Sequence, residues 1–203
     1  GNMILQNVTI SGNTASLDGG GICSWTSNPS LMNVTISGNT ANDGNGGGIY
    51  SSEAGPGLEN CILWNDSPQE IYIESGSVVA TYSDIQGGEL GIVNNNGTVN
   101  WLEGNIDADP LFCDPENGDY TLAENSPCVG TGQDGANMGA FGVGCGIIDV
   151  SLVITEIMQN PSAVNDSDGE WFEIFNSGNI ELDLNGWIIK DADTDIHTIS
   201  SSL

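Results

Sequence analysis

The sequence predicts an all-β chain, with a parallel β-helix over residues 1–146 and a differently patterned β segment over 147–203. Three observations carry this. Residues 5–13 read Leu-Gln-Asn-Val-Thr-Ile-Ser-Gly-Asn and residues 31–39 read Leu-Met-Asn-Val-Thr-Ile-Ser-Gly-Asn, 26 positions apart. Each copy alternates β-branched and polar residues with a period of two, the mark of a strand. No stretch has helical periodicity, and 29 glycines oppose helices. A fixed period of this length marks a unit that cannot bury its apolar face alone and buries it by stacking on its neighbours.

In the first coil, Val8 and Ile10 alternate with Asn7 and Thr9, Ser11-Gly12-Asn13 supplies turn chemistry, and Gly19-Gly20-Gly21 leads to a short strand at Ile22. The second coil repeats this through Asn39 and Gly46-Gly47-Gly48-Ile49. A weaker third copy runs Leu58-Glu59-Asn60-Cys61-Ile62-Leu63-Trp64-Asn65. Coils stacked about 4.8 Å apart place Leu5/Leu31/Leu58, Val8/Val34/Cys61 and Ile10/Ile36/Ile62 on inward ladders. Asn13/Asn39/Asn65 fall at one turn, where stacked amides hydrogen-bond along the ladder. Asn7/Asn33 and Thr9/Thr35 are expected to form a flat polar ladder outside. The repeat logic stops at Gly142-Val143-Gly144-Cys145-Gly146. Beyond it, residues 152–158, 170–176 and 182–189 contain strand patterns, with Trp187 as an expected core anchor.

These residues carry family resemblances. The pairing of Gly-Gly-Gly-Ile with Ile-x-x-Asn (Ile10…Asn13, Ile36…Asn39, Ile62…Asn65) resembles the repeats of polymorphic outer membrane proteins and related right-handed parallel β-helix proteins. Tyr82-Ser83-Asp84-Ile85-Gln86-Gly87-Gly88 and Gly104-Asn105-Ile106-Asp107-Ala108-Asp109-Pro110-Leu111-Phe112 resemble late coils of secreted bacterial β-helix proteins. With Gly118-Asp119-Tyr120-Thr121-Leu122, Ser126-Pro127-Cys128 and Gly139-Ala140-Phe141-Gly142 they form a series similar to the choice-of-anchor β-helix terminal region. The second segment is similar to the start of a lamin-tail domain, an immunoglobulin-like sandwich, through Ile154-Thr155-Glu156-Ile157, Gly169-Glu170-Trp171-Phe172-Glu173-Ile174 and Leu184-Asn185-Gly186-Trp187. A complete sandwich takes about 100 residues, so 147–203 is expected to be its N-terminal part. These resemblances imply a right-handed helix and an extracellular or cell-surface protein. They imply no single activity, because the fold hosts many.

One Lys or Arg stands against 28 Asp plus Glu, for a net charge of −27. Residues 1–189 hold no Lys, Arg or His. Such a surface repels nucleic acid and anionic lipid, whose phosphates require cations. No apolar run approaches the roughly 20 residues of a membrane-spanning helix. Polysaccharide lyases of this fold neutralise a uronate with Lys, Arg or calcium, and the cationic side chains are missing here. Asp107 and Asp109 have a spacing compatible with a glycosidase pair, but an Asp before Pro more often shapes a turn. Asp84 reads as a turn residue for similar reasons. No catalytic residue is assigned.

Five cysteines give no even framework. Cys113 and Cys128 flank a 14-residue, turn-rich loop, and a disulfide is expected between them, stabilising by roughly 3 kcal/mol. Cys145 is close enough to compete for either partner. Cys61 replaces Val8 and Val34 on an inward ladder and is expected to be a buried free thiol. Asp191-x-Asp193-x-Asp195 has the alternating carboxylates of a calcium loop without the Gly and distant Glu of an EF-hand. Asn165-Asp166-Ser167-Asp168-Gly169-Glu170 is a second acidic cluster. The functional expectation is a non-catalytic scaffold or adhesion segment whose partners are glycans or other surface proteins. Two alternatives are an accessory part of a secreted polysaccharide-degrading enzyme whose active coils precede residue 1, and a self-assembling surface-layer or filament component.

A net charge of this size costs stability through self-repulsion. The screening length falls from about 30 Å at roughly 0.01 M salt to about 10 Å at roughly 0.1 M. Thermal unfolding is expected to shift upward with sodium chloride over that range, with calcium and magnesium equivalent at matched ionic strength. An added increment from calcium, removed by replacing Asp191, Asp193 and Asp195 with Asn, would instead establish a specific site.

Overall fold

A strand with strict alternation cannot turn both Leu5 and Val8 inward, because an odd number of positions separates them. Asn7 resolves the conflict. Its backbone is left-handed, with φ of +55°, and Asn33 and Asn60 repeat this at +52° and +53°. Most residues resist that region, whereas a short polar side chain that bonds locally tolerates it. Asn33 Nδ2 donates to Asn7 Oδ1 at 3.1 Å, so successive corners are also tied together. The recurring Asn is thus a corner residue that lets Leu5, Val8 and Ile10 all face the core.

The computed structural model describes residues 2–149, 151–158, 171–179, 182, 184–190 and 196–199. It divides into two compact units, 1–147 and 148–203. In the first unit, β1 (Ile4–Ser11), β2 (Thr14–Ala15) and β3 (Ile22–Trp25) form one coil. β4 (Ser30–Ser37), β5 (Thr40–Ala41) and β6 (Ile49–Ser52) form the next, and β7 (Gly57–Glu59) and β8 (Ile62–Trp64) open the third. β9 (Ile71–Thr81) runs unbroken from the third coil into the fourth and β10 (Asp84–Ile85) follows. A one-turn helix, α1 (Gly88–Gly91), precedes β11 (Val93–Trp101). These strands pair in parallel, coil on coil, to give a parallel β-helix of about five turns.

Leu5, Leu31 and Leu58 stack in register, as do Val8 with Val34 and Ile10 with Ile36. Leu31, Val34, Ile36 and Leu58 are all buried. The expected continuation through Ile62 is corrected by the structure. From the second coil to the third the offset is 27, so Thr35 pairs with Ile62 and Ile36 with Leu63. The inward ladder is Ile10/Ile36/Leu63/Ile85. In a chain of period two, a slip of one position moves a side chain to the opposite face. The same offset brings Asp66, rather than Asn65, beneath Asn39.

The Gly-Gly-Gly runs sit where backbones of adjacent coils nearly touch. A Cβ on Gly20 would stand 2.5 Å from the Gly47 carbonyl oxygen, and one on Gly48 would stand 2.5 Å from that of Glu70. Close approach lets Gly21 N donate to Gly47 O and Ile49 N donate to Glu70 O, both at 2.8 Å. A side chain here would force the coils apart.

Residues 111–146 fold back over the outside of the coils. β12 (Phe112–Asp114), β13 (Asp119–Ala123) and β14 (Val143–Cys145) make a small sheet, with β12 antiparallel and β14 parallel to β13. Phe112, Tyr120, Leu122, Cys128 and Met138 pack with the outward Ile62 in a second core. Gly139 N donates to Asn60 O, and Ala140 N donates to Thr35 Oγ1. The expected exposed Thr9/Thr35 ladder is therefore covered at its second member: Thr35 is fully buried, and Thr9 is half-buried.

The expected Cys113–Cys128 disulfide is also corrected. Cys113 bonds Cys145, with the Cα atoms 5.9 Å apart, while Cys128 is a buried free thiol. Cys113 lies in β12 and Cys145 at the end of β14, and both ladders with β13 shift register there, between Phe112 and Asp114 and between Leu122 and Ala123. Cys128 instead turns down onto Ile62. Cys61 is buried and free on the Val8/Val34 ladder, where burial pushes its thiol up to about 12.

In the second unit, β15 (Leu152–Met158) pairs antiparallel with β16 (Trp171–Asn176), and β17 (Ile188–Lys190) with β18 (Ile196–Thr198). Trp187 is not the expected anchor, being 46% exposed. It closes the turn made by Asn185-Gly186, where Gly186 has φ of +85° and Trp187 N donates to Leu184 O. The strand accordingly begins only at Ile188.

A non-reduced digest should yield a Cys113–Cys145 peptide pair, with Cys128 resisting alkylation until the protein is unfolded. Their separation of 32 residues implies that Cys113→Ser with Cys145→Ser costs about 3–4 kcal/mol in denaturant unfolding.

Candidate functional site

The outer face of β3, β6 and β9 carries a row of aromatic rings. Ile22, Ile49 and Ile71 stack inward, so their strand neighbours point out. Tyr50 and Tyr72 are register partners whose rings stack with centroids 5.7 Å apart and planes 5° from parallel. Trp25 lies on the other side of Tyr50 at 5.7 Å, tilted by 39°. Sandwiched between the two, Tyr50 is buried, and that burial pushes its phenol above the usual range. Trp25 keeps 59% of its surface exposed. Polar groups border the row. Tyr72 Oη donates to Glu74 Oε2 at 3.3 Å, and Asn95 Nδ2 donates to both Glu74 oxygens at 3.1 and 3.2 Å.

A shallow groove lies on another face. Ser30, Gly57 and Val79 are in register, as are Met32, Glu59 and Thr81. The missing side chain at Gly57 leaves about 160 Å³ between them. That is below the roughly 300 Å³ of a small-molecule pocket.

A polar ladder runs from the exposed Asn13 to the buried Asn39, Asp66 and Glu70. Asn13 N and Nδ2 donate to Asn39 Oδ1 at 3.0 and 2.9 Å. Asn39 N and Nδ2 in turn donate to Asp66 Oδ1 at 2.6 and 2.8 Å, and Asn39 Nδ2 also donates to Ile10 O. Asp66 N donates to Glu70 Oε1 at 3.0 Å. The sequence showed the Asn stack but not its acidic end, because the offset of 27 was masked by the Asn65 beside Asp66.

A third buried acid sits under the cap. Asp84 was expected in a turn but lies in β10 with no exposure. Its Oδ1 accepts from Ala108 N at 3.1 Å, and its Oδ2 accepts from Cys128 Sγ at 3.1 Å. Burial raises its carboxyl to about 6. Burial and the Asp84 charge push the Cys128 thiol far above its ordinary range, so it is a donor here and no nucleophile.

Asp107 Oδ1 accepts from Gly87 N, and Asp109 Oδ1 accepts from Leu111 N, so both carboxylates brace turns. Asp191, Asp193 and Asp195, and the cluster at 165–170, lie outside the described residues. Among the described residues, no group of three or more His, Cys, Asp or Glu could hold a metal ion, and no helix is long and apolar enough to cross a membrane.

Two family models match the chain. One described as the Chlamydia polymorphic membrane protein repeat covers residues 7–24 and 33–52. The other, described as the Lamin Tail Domain, covers residues 149–203. The first spans the two coils whose Asn corners and glycine runs recur, and the second begins within two residues of the boundary between the units. No curated protein and no solved structure matches this chain.

Asn39→Ala should cost about 1–3 kcal/mol in denaturant unfolding, because it strips one of two donors from a buried carboxylate and leaves the backbone N–H. Asn65→Gly should change stability by less than about 1 kcal/mol, since Asn65 has φ of +61° and it is its backbone N–H that donates to Gln86 Oε1.

Proposed function

We propose that this chain is a non-catalytic scaffold and adhesion segment of a surface-exposed, outer-membrane-type protein, and that it meets neutral glycans at the Trp25–Tyr50–Tyr72 row. The exposed indole of Trp25 at one end of the ring row, with the Glu74 carboxylate and Asn95 amide beside Tyr72 at the other, is the observation that carries this reading. An aromatic face offers the apolar side of a sugar ring a large contact area. The oxygens of Glu74 and the amide of Asn95 offer its hydroxyl groups acceptors and donors. The net charge of −27 disfavours uronates and sulfated chains and leaves neutral sugars as the compatible class. The polymorphic membrane protein repeats support the surface location.

The acids argue for binding without cleavage. Asp66, Glu70 and Asp84 are buried away from any polymer, and Asp107 and Asp109 are engaged by backbone N–H groups. A stacked β-helix supplies rigidity, which lowers the entropic cost of presenting a flat binding row.

A glycan array probed with the purified chain should return neutral glycans, followed by calorimetry on the best ligand. Trp25→Ala should weaken binding by about threefold to tenfold, the worth of one aromatic contact. Trp187→Ala, in the other unit, should leave it unchanged. Failure to bind any neutral glycan, or affinity unaffected by Trp25→Ala, would overturn the proposal.

A further inference from the structure

Two carboxyl groups lie side by side in the β-helix, in a stretch of sequence without a Lys, Arg or His. Asp66 is 8% exposed and Glu70 is 5% exposed. One oxygen of each is satisfied: Asp66 Oδ1 by both nitrogens of Asn39, and Glu70 Oε1 by Asp66 N. The other two, Asp66 Oδ2 and Glu70 Oε2, are buried without a donor. Two adjacent ionised carboxylates would repel, and each orphaned oxygen would carry an unpaid desolvation cost. We propose that Asp66 and Glu70 share one proton between Oδ2 and Oε2, and that this proton makes the β-helix lose stability as the solution turns alkaline.

A single proton answers both orphaned atoms at once. The short bonds from Asn39, at 2.6 and 2.8 Å, favour the charged form of Asp66. The proton therefore rests formally on Glu70, which donates it to Asp66. Burial first, and the neighbouring Asp66 second, push the Glu70 carboxyl up to about 9. The groups that face the pair do not titrate. Asn39 stands on it from the second coil, with Asn13 beyond, and Gly48 closes it from the glycine run, where a Cβ would lie 2.7 Å from Asp66 Oδ2. Gln69 is turned to Gly46 N. Residues 1–189 contain no Lys, Arg or His to serve as an internal counter-charge.

The direction follows from linkage. The Glu70 carboxyl titrates higher in the folded chain than its ordinary value of 4.5, so the folded state holds the extra proton between those limits. The stabilisation is complete at pH values below the ordinary one and is lost as pH rises through about 9. One proton changes the folded-to-unfolded ratio by at most about tenfold per pH unit. Asp84, raised to about 6, titrates at the acidic end of this window and is common to parent and variant.

Denaturant unfolding of the full chain and of Glu70→Gln, followed from mildly acidic to mildly alkaline buffer, tests the proposal. The Gln amide can donate to Asp66 Oδ2 at any pH. The parent should lose folded population by up to about tenfold per pH unit, and the variant should have a visibly flatter profile. Because the comparison requires Glu70→Gln to fold, infrared spectroscopy of the parent supplies a second reading: a protonated-carboxyl stretch should persist in slightly alkaline buffer, where Asp84 is ionised. Parallel pH profiles, absence of that band, or calcium stabilising the parent but not the variant in alkaline buffer would overturn the shared proton. The last result would place a cation between the carboxyls instead.

Discussion

Everything in the first unit depends on one constraint: successive coils must stack in register, so each position meets its own counterpart one coil away. The backbone N–H and C=O groups of each coil are satisfied by the next. Side chains then have no choice of neighbour. Leu stacks on Leu and Ile on Ile along the inner wall, and the polar positions must stack too. Asn at the corners and glycine in the close-approach runs are consequences of that rule, at places where other residues would strain the chain or part the coils.

The same rule explains the buried acids. Once Asn39 is buried with Asn13 stacked on it, the third member of the ladder needs an acceptor to receive the donors of Asn39, and Asp66 supplies it. Ionised and alone, that carboxylate would be costly in the interior. Glu70 bonds its neighbour and ends the ladder. At the outer wall, Asp84 occupies the stacking position of Ile62, and the cap covers it with the Cys128 thiol and a backbone N–H. In each case a polar residue is tolerated because the adjoining segment brings a donor to it.

Much of the β-helix was legible in the sequence because its period is carried by whole words of sequence. Leu5/Leu31/Leu58 and the glycine runs were readable from identity alone. Ile62 and Asn65 misled for the opposite reason. They match earlier copies by type, whereas the chain keeps an offset of 27 that places Leu63 and Asp66 in those roles. Pattern matching rewards similarity, but strand parity rewards count. The aromatic row was hidden because Trp25, Tyr50 and Tyr72 belong to coils of unequal length, and Tyr72 lies 22 positions after Tyr50 rather than 26. Cys113 pairs with Cys145 because Cys128 is turned inward to Asp84, which no local spacing reveals. Trp187 reads as core by its size, yet the Asn185-Gly186 turn holds it at the surface.

The register across the second and third coils is tested most directly by double-mutant cycles that share Ile36→Val. Paired with Leu63→Ala, the cycle should give a coupling of about 0.5 kcal/mol or more, as expected for side chains in contact. Paired with Ile62→Ala, it should be additive within about 0.3–0.5 kcal/mol, because Ile62 belongs to the core beneath the cap. Coupling of Ile36 to Ile62 with additivity toward Leu63 would contradict the offset of 27, and with it the account of the Asn39–Asp66 ladder.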